Sequence, residues 1–354
     1  MRFSPSTRLG AGFGVGGSSP LVLKTIFAAF VVLRTLSLSK SRISFIDLVD
    51  RGFKYDQRYL SFDDVHNYRT IVPSSNCPPP FEKVVVCVGG FGDSPASFDP
   101  LVERLKGESG VCVTLPPTPG WDRWDGFKKA RQLSYVDWKI ACRRAICEAN
   151  ALGEEVVLIA HSTGCTVALA CLLGEEDGLG VDRVVFTGAN LGPAASDRKT
   201  KAMLTSRLGK FLTYLKPVVR KKLREGRPAD VSNEHFWEHG FYLSSIPTNA
   251  VREMWLCMDE VLEQDKLLHS RVKAVTLING EFDKSVCPIS ESVDVVSSKI
   301  GSAAPCEIKA EVVKDAGHSI LFEKEETGAV DLVVKEVMMS GRPPARTSLW
   351  VDPN

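Results

Sequence analysis

The feature that most limits what this chain can fold into is a set of short, uninterrupted apolar runs. They are Lys83-Val-Val-Val-Cys-Val88 ahead of Gly89-Gly90, Val111 to Leu115, Val156 to Ala160, Val184 to Thr187 and Ala274 to Asn279. A strand with one wet face alternates apolar and polar residues; runs without alternation are the mark of strands buried on both faces of a parallel sheet. Glu307 to Val313 adds a last strand. The segments Ser134 to Ala151, Cys165 to Leu173 and Ala329 to Met338 carry apolar residues at three- and four-residue spacing and suit crossover helices. Alternation of this kind predicts an α/β fold with a doubly wound, mostly parallel sheet. Ahead of it, Tyr59 to Phe62 and His66 to Val72, joined at Asp63-Asp64, read as an opening antiparallel pair.

At 354 residues, 44% hydrophobic and 25% charged, the chain can bury a full core. The folded domain is expected over residues 47–340, followed by a tail at 341–354. Between the strands at Val184 and Ala274 lies an insertion, residues 191–271, too long for a loop and without a strand pattern. It reads as several charged amphipathic helices forming a cap over the sheet edge. A net charge of +1 supplies no global field for nucleic acid, and no nucleic-acid partner is expected. Of the ten cysteines, Cys87, Cys112, Cys165, Cys171 and Cys257 sit inside apolar runs, where a thiol acts as a small hydrophobe, so no disulfide is expected.

Residues 1–46 differ in kind. No acid precedes Asp47, while Arg2, Arg8, Lys24, Arg34, Lys40 and Arg42 are spread among serines, the composition of a mitochondrial or plastid transit peptide. The apolar run from Thr25 to Leu33, bounded by Lys24 and Arg34, makes a membrane anchor the competing reading, with an unaddressed extension of a cytoplasmic protein the third. Gly12-Phe-Gly14-Val-Gly16-Gly17 matches a dinucleotide fingerprint in letters only, since no strand precedes it.

After the run Val156 to Ala160 come His161-Ser162-Thr163-Gly164 and then the helix from Cys165. Strand, sharp turn, helix is the context in which a serine is lifted above a sheet edge in a strained conformation. Its neighbours two places before and after must be small, and they are Ala160 and Gly164. Further on, strand Ala274–Asn279 runs into Gly280-Glu281-Phe282-Asp283. The last strand runs into Asp315-Ala316-Gly317-His318, followed by Ser319-Ile-Leu-Phe-Glu323.

With A-H-S-T-G, G-E-F-D and A-G-H-S-I-L-F-E in that order, the chain resembles the α/β-hydrolase superfamily over residues 55 to 340. The resemblance implies Ser162 as nucleophile, His318 as general base and Asp283 as the acid that orients the histidine. Glu281 and Asp315 are the rival acids, one ahead of the family position and the other too close to His318 in sequence. The loop Gly89-Gly90-Phe91-Gly92-Asp93-Ser94 matches the family's oxyanion loop with Gly89 in place of the usual histidine. Backbone N–H groups of Phe91 and Thr163 are the donors it implies, the latter at the positive end of a helix.

The expected reaction is acyl transfer to water on a small-molecule ester, carboxylesterase or lipase-like, without metal or organic cofactor. Thioesterase, amidase or carbon–carbon bond hydrolase chemistry on the same three residues stays open, as does a binding protein or receptor of the same fold. Cap aromatics Trp237, Phe241 and Trp255 are the candidate substrate pocket. His235-Phe-Trp-Glu238-His239 has the letters of a zinc site but is read as a cap helix with exposed histidines, and His161 as packing behind the nucleophile. From Arg198 to Arg227 the cap is basic, which reads as a solvated face or as a contact for an anionic membrane surface.

Overall fold

The computed structural model describes residues 69–71, 79–91, 93, 95–116, 118, 134–173, 179–194, 197–215, 218–220, 223–224, 227–228, 245–265, 268, 271–300 and 306–339. The N-terminal segment, the Tyr59–Phe62 strand, Trp237, Phe241, the His235–His239 motif and the tail lie outside these residues.

Seven strands form one sheet: β1 (Arg69–Ile71), β2 (Phe81–Val88), β3 (Val111–Leu115), β4 (Gly153–His161), β5 (Arg183–Thr187), β6 (Ala274–Gly280) and β7 (Glu307–Val313). Their order is β1-β3-β2-β4-β5-β6-β7, with β1 antiparallel to β3 and every other pairing parallel. The chain therefore steps from β2 outward to β3, then returns past β2 to β4. Strand order reverses between β2 and β4, and the crevice outside such a reversal is where open α/β sheets take ligands.

Alternate residues of β4 serve opposite faces. Val156, Leu158 and Ala160 join one core cluster with Trp138, Ile146, Leu169 and Phe186, whereas Val157 and Ile159 join the other with Phe98, Leu101 and Val333. Helices α2 (Tyr135–Leu152) and α3 (Thr163–Leu172) cover the first face, and α1 (Asp99–Leu105) and α8 (Ala329–Met338) cover the second. Helix α2 starts at a capping box in which the Asp137 carboxylate accepts the Ser134 N–H at 2.7 Å.

The insertion holds α4 (Arg198–Thr205), α5 (Arg207–Leu215) and α6 (Thr248–Glu263). It also holds two short antiparallel pairs, Val218–Arg220 with Ser245–Pro247 and Leu223–Arg224 with Arg227–Pro228. The expectation of an insertion without strands is corrected on this point: pairings of two or three residues leave no periodicity to read. Helix α7 (Ile289–Ser297), after β6, is a further addition to the predicted elements. The described cysteines are free thiols.

Candidate active site

Ser162 stands between β4 and α3 with φ 53° and ψ −122°, a conformation costing a non-glycine residue about 1–3 kcal/mol. The surroundings enforce it. The Ser162 N–H donates to the Thr187 carbonyl at 2.9 Å, and its own carbonyl accepts from the Cys165 N–H at 3.0 Å. A Cβ on Gly164 would come within 2.5 Å of the Val88 carbonyl oxygen, and one on Gly90 within 2.8 Å of the Ser162 Cβ. Both glycines let the loop after β2 close against the serine.

His318 and Asp283 reach Ser162 from the ends of β7 and β6. His318 Nε2 lies 2.9 Å from Ser162 Oγ, and His318 Nδ1 lies 2.8 Å from Asp283 Oδ2. An ionised carboxylate only accepts, so Nδ1 carries the proton and Nε2 offers its lone pair to the serine hydroxyl. Asp283 is 2% exposed at its side chain. Burial pushes its carboxyl pKa up, but the charge and hydrogen bond of His318 and the Ser285 N–H at 2.9 Å outweigh it and hold the group below its ordinary value. The rival acids serve the loops instead: Glu281 accepts the Asp315 N–H at 3.1 Å, tying the two strand-end segments together.

Three further residues support the site: Asp93 and Glu323, which lie inside the loop motifs but carry no assigned role there, and Asn190, which lies outside them. Asp93, 6% exposed, accepts the Gly90 N–H at 2.9 Å and donates its own N–H to the Gly90 carbonyl at 3.3 Å, which folds the loop carrying Phe91 into a closed turn. His161 bridges that turn to the sheet. Its Nδ1 donates to the Thr187 carbonyl at 3.0 Å, and its Nε2 faces Asp93 Oδ2 at 4.0 Å. The Asn190 side chain donates to Thr163 Oγ1 at 3.3 Å, beside the serine, and Glu323 accepts the Gly317 N–H at 2.7 Å, fixing the loop of His318. Asn190 reaches Thr163 across the fold, whereas Asp93 and Glu323 act within their own loops, on Gly90 and Gly317.

A small, mostly apolar cavity opens beside the serine, bordered by Gly90, Phe91, Trp138, Cys142, Thr163 and Val167 among others. Phe91 and Trp138 meet edge to face with ring centres 6.2 Å apart. Phe91 and Thr163, the expected amide donors, thus share this cavity's wall. Trp255 does not border it: the indole is 4% exposed, packed in the core beside α3. Its expected place in a substrate pocket finds no support in that position. Among the described residues no group of three side chains suits a metal ion.

These features belong to a known class. The sequence model of the alpha/beta hydrolase family matches residues 85–330, and the chain belongs to that family. Solved structures share the fold at low identity. A monoacylglycerol lipase from Paleococcus ferrophilus is 18% identical with a TM-score of 0.56, covering 77% of this chain and 98% of its own. A soluble variant of the Saccharomyces cerevisiae monoglyceride lipase, solved with a substrate analogue, is 13% identical with a TM-score of 0.55, covering 76% and 89%. A thermostable carboxyl esterase from Bacillus coagulans, solved with glycerol, is 14% identical with a TM-score of 0.53, covering 79% and 97%. No curated protein matches by sequence.

Proposed function

We propose that this protein is a serine hydrolase that cleaves carboxylic esters through an acyl-enzyme on Ser162. The observation that carries the reading is the relay Asp283 to His318 to Ser162, with contacts of 2.8 and 2.9 Å around a serine held at positive φ. In the proposed cycle His318 Nε2 takes the hydroxyl proton as Ser162 Oγ bonds to the ester carbonyl carbon. The carbonyl oxygen, now negative, faces the amides of Phe91 and Thr163. Its charge returns as the bond to the leaving oxygen breaks and His318 hands that oxygen the proton. Water repeats the sequence in reverse order of bonds, giving its proton to His318, releasing the acid and restoring the serine. Ester rather than amide cleavage is favoured by the lipases and esterases that share the fold and by the apolar cavity at the serine.

The test is a panel of esters, thioesters and amides with matched acyl groups, read with the acyl-enzyme trapped by acid quench and mass spectrometry. Ester turnover with an acyl mass on Ser162 is the expected result. Turnover of amides or thioesters alone overturns the ester assignment.

A contact with anionic lipid surfaces is supported by the cap. Met203, Leu208 and Phe211 are 49%, 63% and 50% exposed on α4 and α5, alongside exposed Lys199 and Lys210. Cosedimentation with vesicles of anionic but not zwitterionic lipid is expected, weakening on M203E/L208E; equal recovery with both lipids contradicts it.

A further inference from the structure

We infer that β7, the strand at one edge of the sheet, is a self-complementary docking surface on which a second copy of this chain pairs antiparallel about a two-fold axis at Ala310. The surface is the lateral edge of the sheet and owes nothing to the ester chemistry at Ser162.

Backbone alternation decides which groups face outward. The Glu307 N–H donates to the Lys273 carbonyl at 2.9 Å, and the Val313 carbonyl accepts the Glu281 N–H at 2.9 Å. With Ala274 opposite Glu307 and Gly280 opposite Val313, these bonds are the two ends of one parallel ladder. Alternate residues of such a ladder bond to the neighbouring strand, so Glu307, Lys309, Glu311 and Val313 turn their backbone groups to β6. Ile308, Ala310 and Val312 turn theirs away from it. Among the described residues no strand pairs with that side. The usual guards of an edge are missing: β7 is seven residues long, contains no proline and keeps its register without a bulge, whereas β1 at the opposite edge has three residues.

Charge selects the partner and the register. A two-fold axis across the edge makes the paired strands antiparallel and the contact the same on both chains. Centred on Ala310, it sets Ile308 opposite Val312 of the second copy and Lys309 opposite its Glu311. All three outward residues then exchange N–H···O bonds with the three of the second copy, at facing Cα distances of about 5.5 Å. Lys309 and Glu311 fall on the intervening pairs, where facing Cα atoms come to about 4.5 Å and unlike charges attract. Moving the axis one residue, to Lys309 or to Glu311, sets like charge against like. Both side chains are available, 32% and 41% exposed and 3.3 Å apart within the chain. On the other face of the strand Ala310 and Val312 are exposed, the latter at 56%, and pairing covers apolar surface there. Because the two sheets run in opposite directions, their Ser162 edges open on opposite sides, and each site works alone.

Sedimentation velocity of the full chain from about 1 to 100 µM tests the pairing, and a dimer whose share grows with concentration is expected. Glu311→Lys sets like charges opposite each other on both sides of the axis, and Val312→Glu sets a charge against Ile308. Each should weaken association by about tenfold or more. Both positions are exposed, so the unfolding midpoints should stay near that of the wild type. Where Glu311→Lys does not fold, Val312→Glu and a cross-link carry the test. Ala310→Cys brings the two thiols face to face at about 5.5 Å between Cα atoms, which a disulfide spans. Oxidation with diamide should link two chains there, as peptide mapping reads. Glu307→Cys serves as the control, since its thiols lie about 20 Å apart across the axis. A full chain that stays monomeric at about 100 µM, association unchanged in the folded variants, or an Ala310→Cys link that forms no faster than that of Glu307→Cys overturns the pairing.

Discussion

The two ends of the parallel sheet both bury charge, and they use it differently. At the N-terminal ends of the strands the buried charges are set against opposite charge or backbone. Lys83 Nζ donates to the Val337 carbonyl at 2.6 Å and lies 3.6 Å from Glu155. Glu336, 1% exposed, accepts from Lys309 at 2.5 Å and Thr276 at 2.9 Å, with Arg183 at 3.8 Å. Asp182 holds Arg271 at 2.9 Å and caps the Val156 N–H at 3.0 Å. These groups clamp neighbouring strands together. At the C-terminal ends the charges converge on one hydroxyl, the backbone is strained at Ser162, and the relay stops at an oxygen that meets a cavity. Strain and convergent charge thus gather at one edge, while the other pairs its buried charges across neighbouring elements.

That contrast predicts which substitutions abolish chemistry and which weaken the fold. Ser162→Ala or His318→Ala should lower ester kcat by about 10⁴ to 10⁶-fold, while the unfolding midpoint of Ser162→Ala holds, because alanine keeps the same Cβ and backbone conformation and loses only the hydroxyl. A midpoint that drops as far as the rate would erase the distinction. Asp283→Asn should cost about 10⁴-fold, since an amide beside His318 can present its N–H and favour the wrong tautomer. Asp93→Asn should lower kcat by roughly ten- to a hundredfold, acting through the loop of Phe91. Its effect should fall on kcat more than on KM, a split that loss of packing alone would not give.

Glu336→Gln should act in the opposite sense, costing about 3 kcal/mol of stability with unchanged activity per folded molecule. Its carboxyl is pushed up by burial but held below the ordinary value by Lys309, Thr276 and Arg183. A depressed native pKa contributes stability above the unfolded value of about 4.3 and loses it as pH falls through the native one. Denaturant midpoints of the wild type should therefore fall faster than those of Glu336→Gln below about pH 4. Parallel curves would show that the clamp contributes nothing.

Much of the architecture was legible because the central strands are buried on both faces and carry unbroken apolar runs. Helices α1 and α7 were not. The first begins Asp99-Pro100 and is a mere two turns, and the second, Ile289–Ser297, is rich in β-branched residues that read as strand. In the site, Ser162, Asp283 and His318 each follow a strand end within a few residues, so local pattern and fold topology coincide there. Asn190 matters through Thr163, which reaches it from elsewhere in the chain, and no spacing encodes that; Asp93 and Glu323 hold Gly90 and Gly317 within their own loops, where the letters alone do not show the hydrogen bond. The cavity was hidden for a related reason: Trp138, Cys142 and Val167 lie on helices whose periodicity announces core, and a void in a core has no signature in sequence. Expectations for residues 1–46, Trp237 and Phe241 fall outside the described residues.

The proposed chemistry stands or falls on Ser162 being made nucleophilic by His318 and Asp283. Intact-mass measurement and peptide mapping of the protein after treatment with a small fluorophosphonate decide it. One adduct is expected, on the peptide containing Ser162, absent from Ser162→Ala and formed far more slowly in His318→Ala. Equal labelling of Ser162→Ala, or an adduct mapped to another residue, would contradict it.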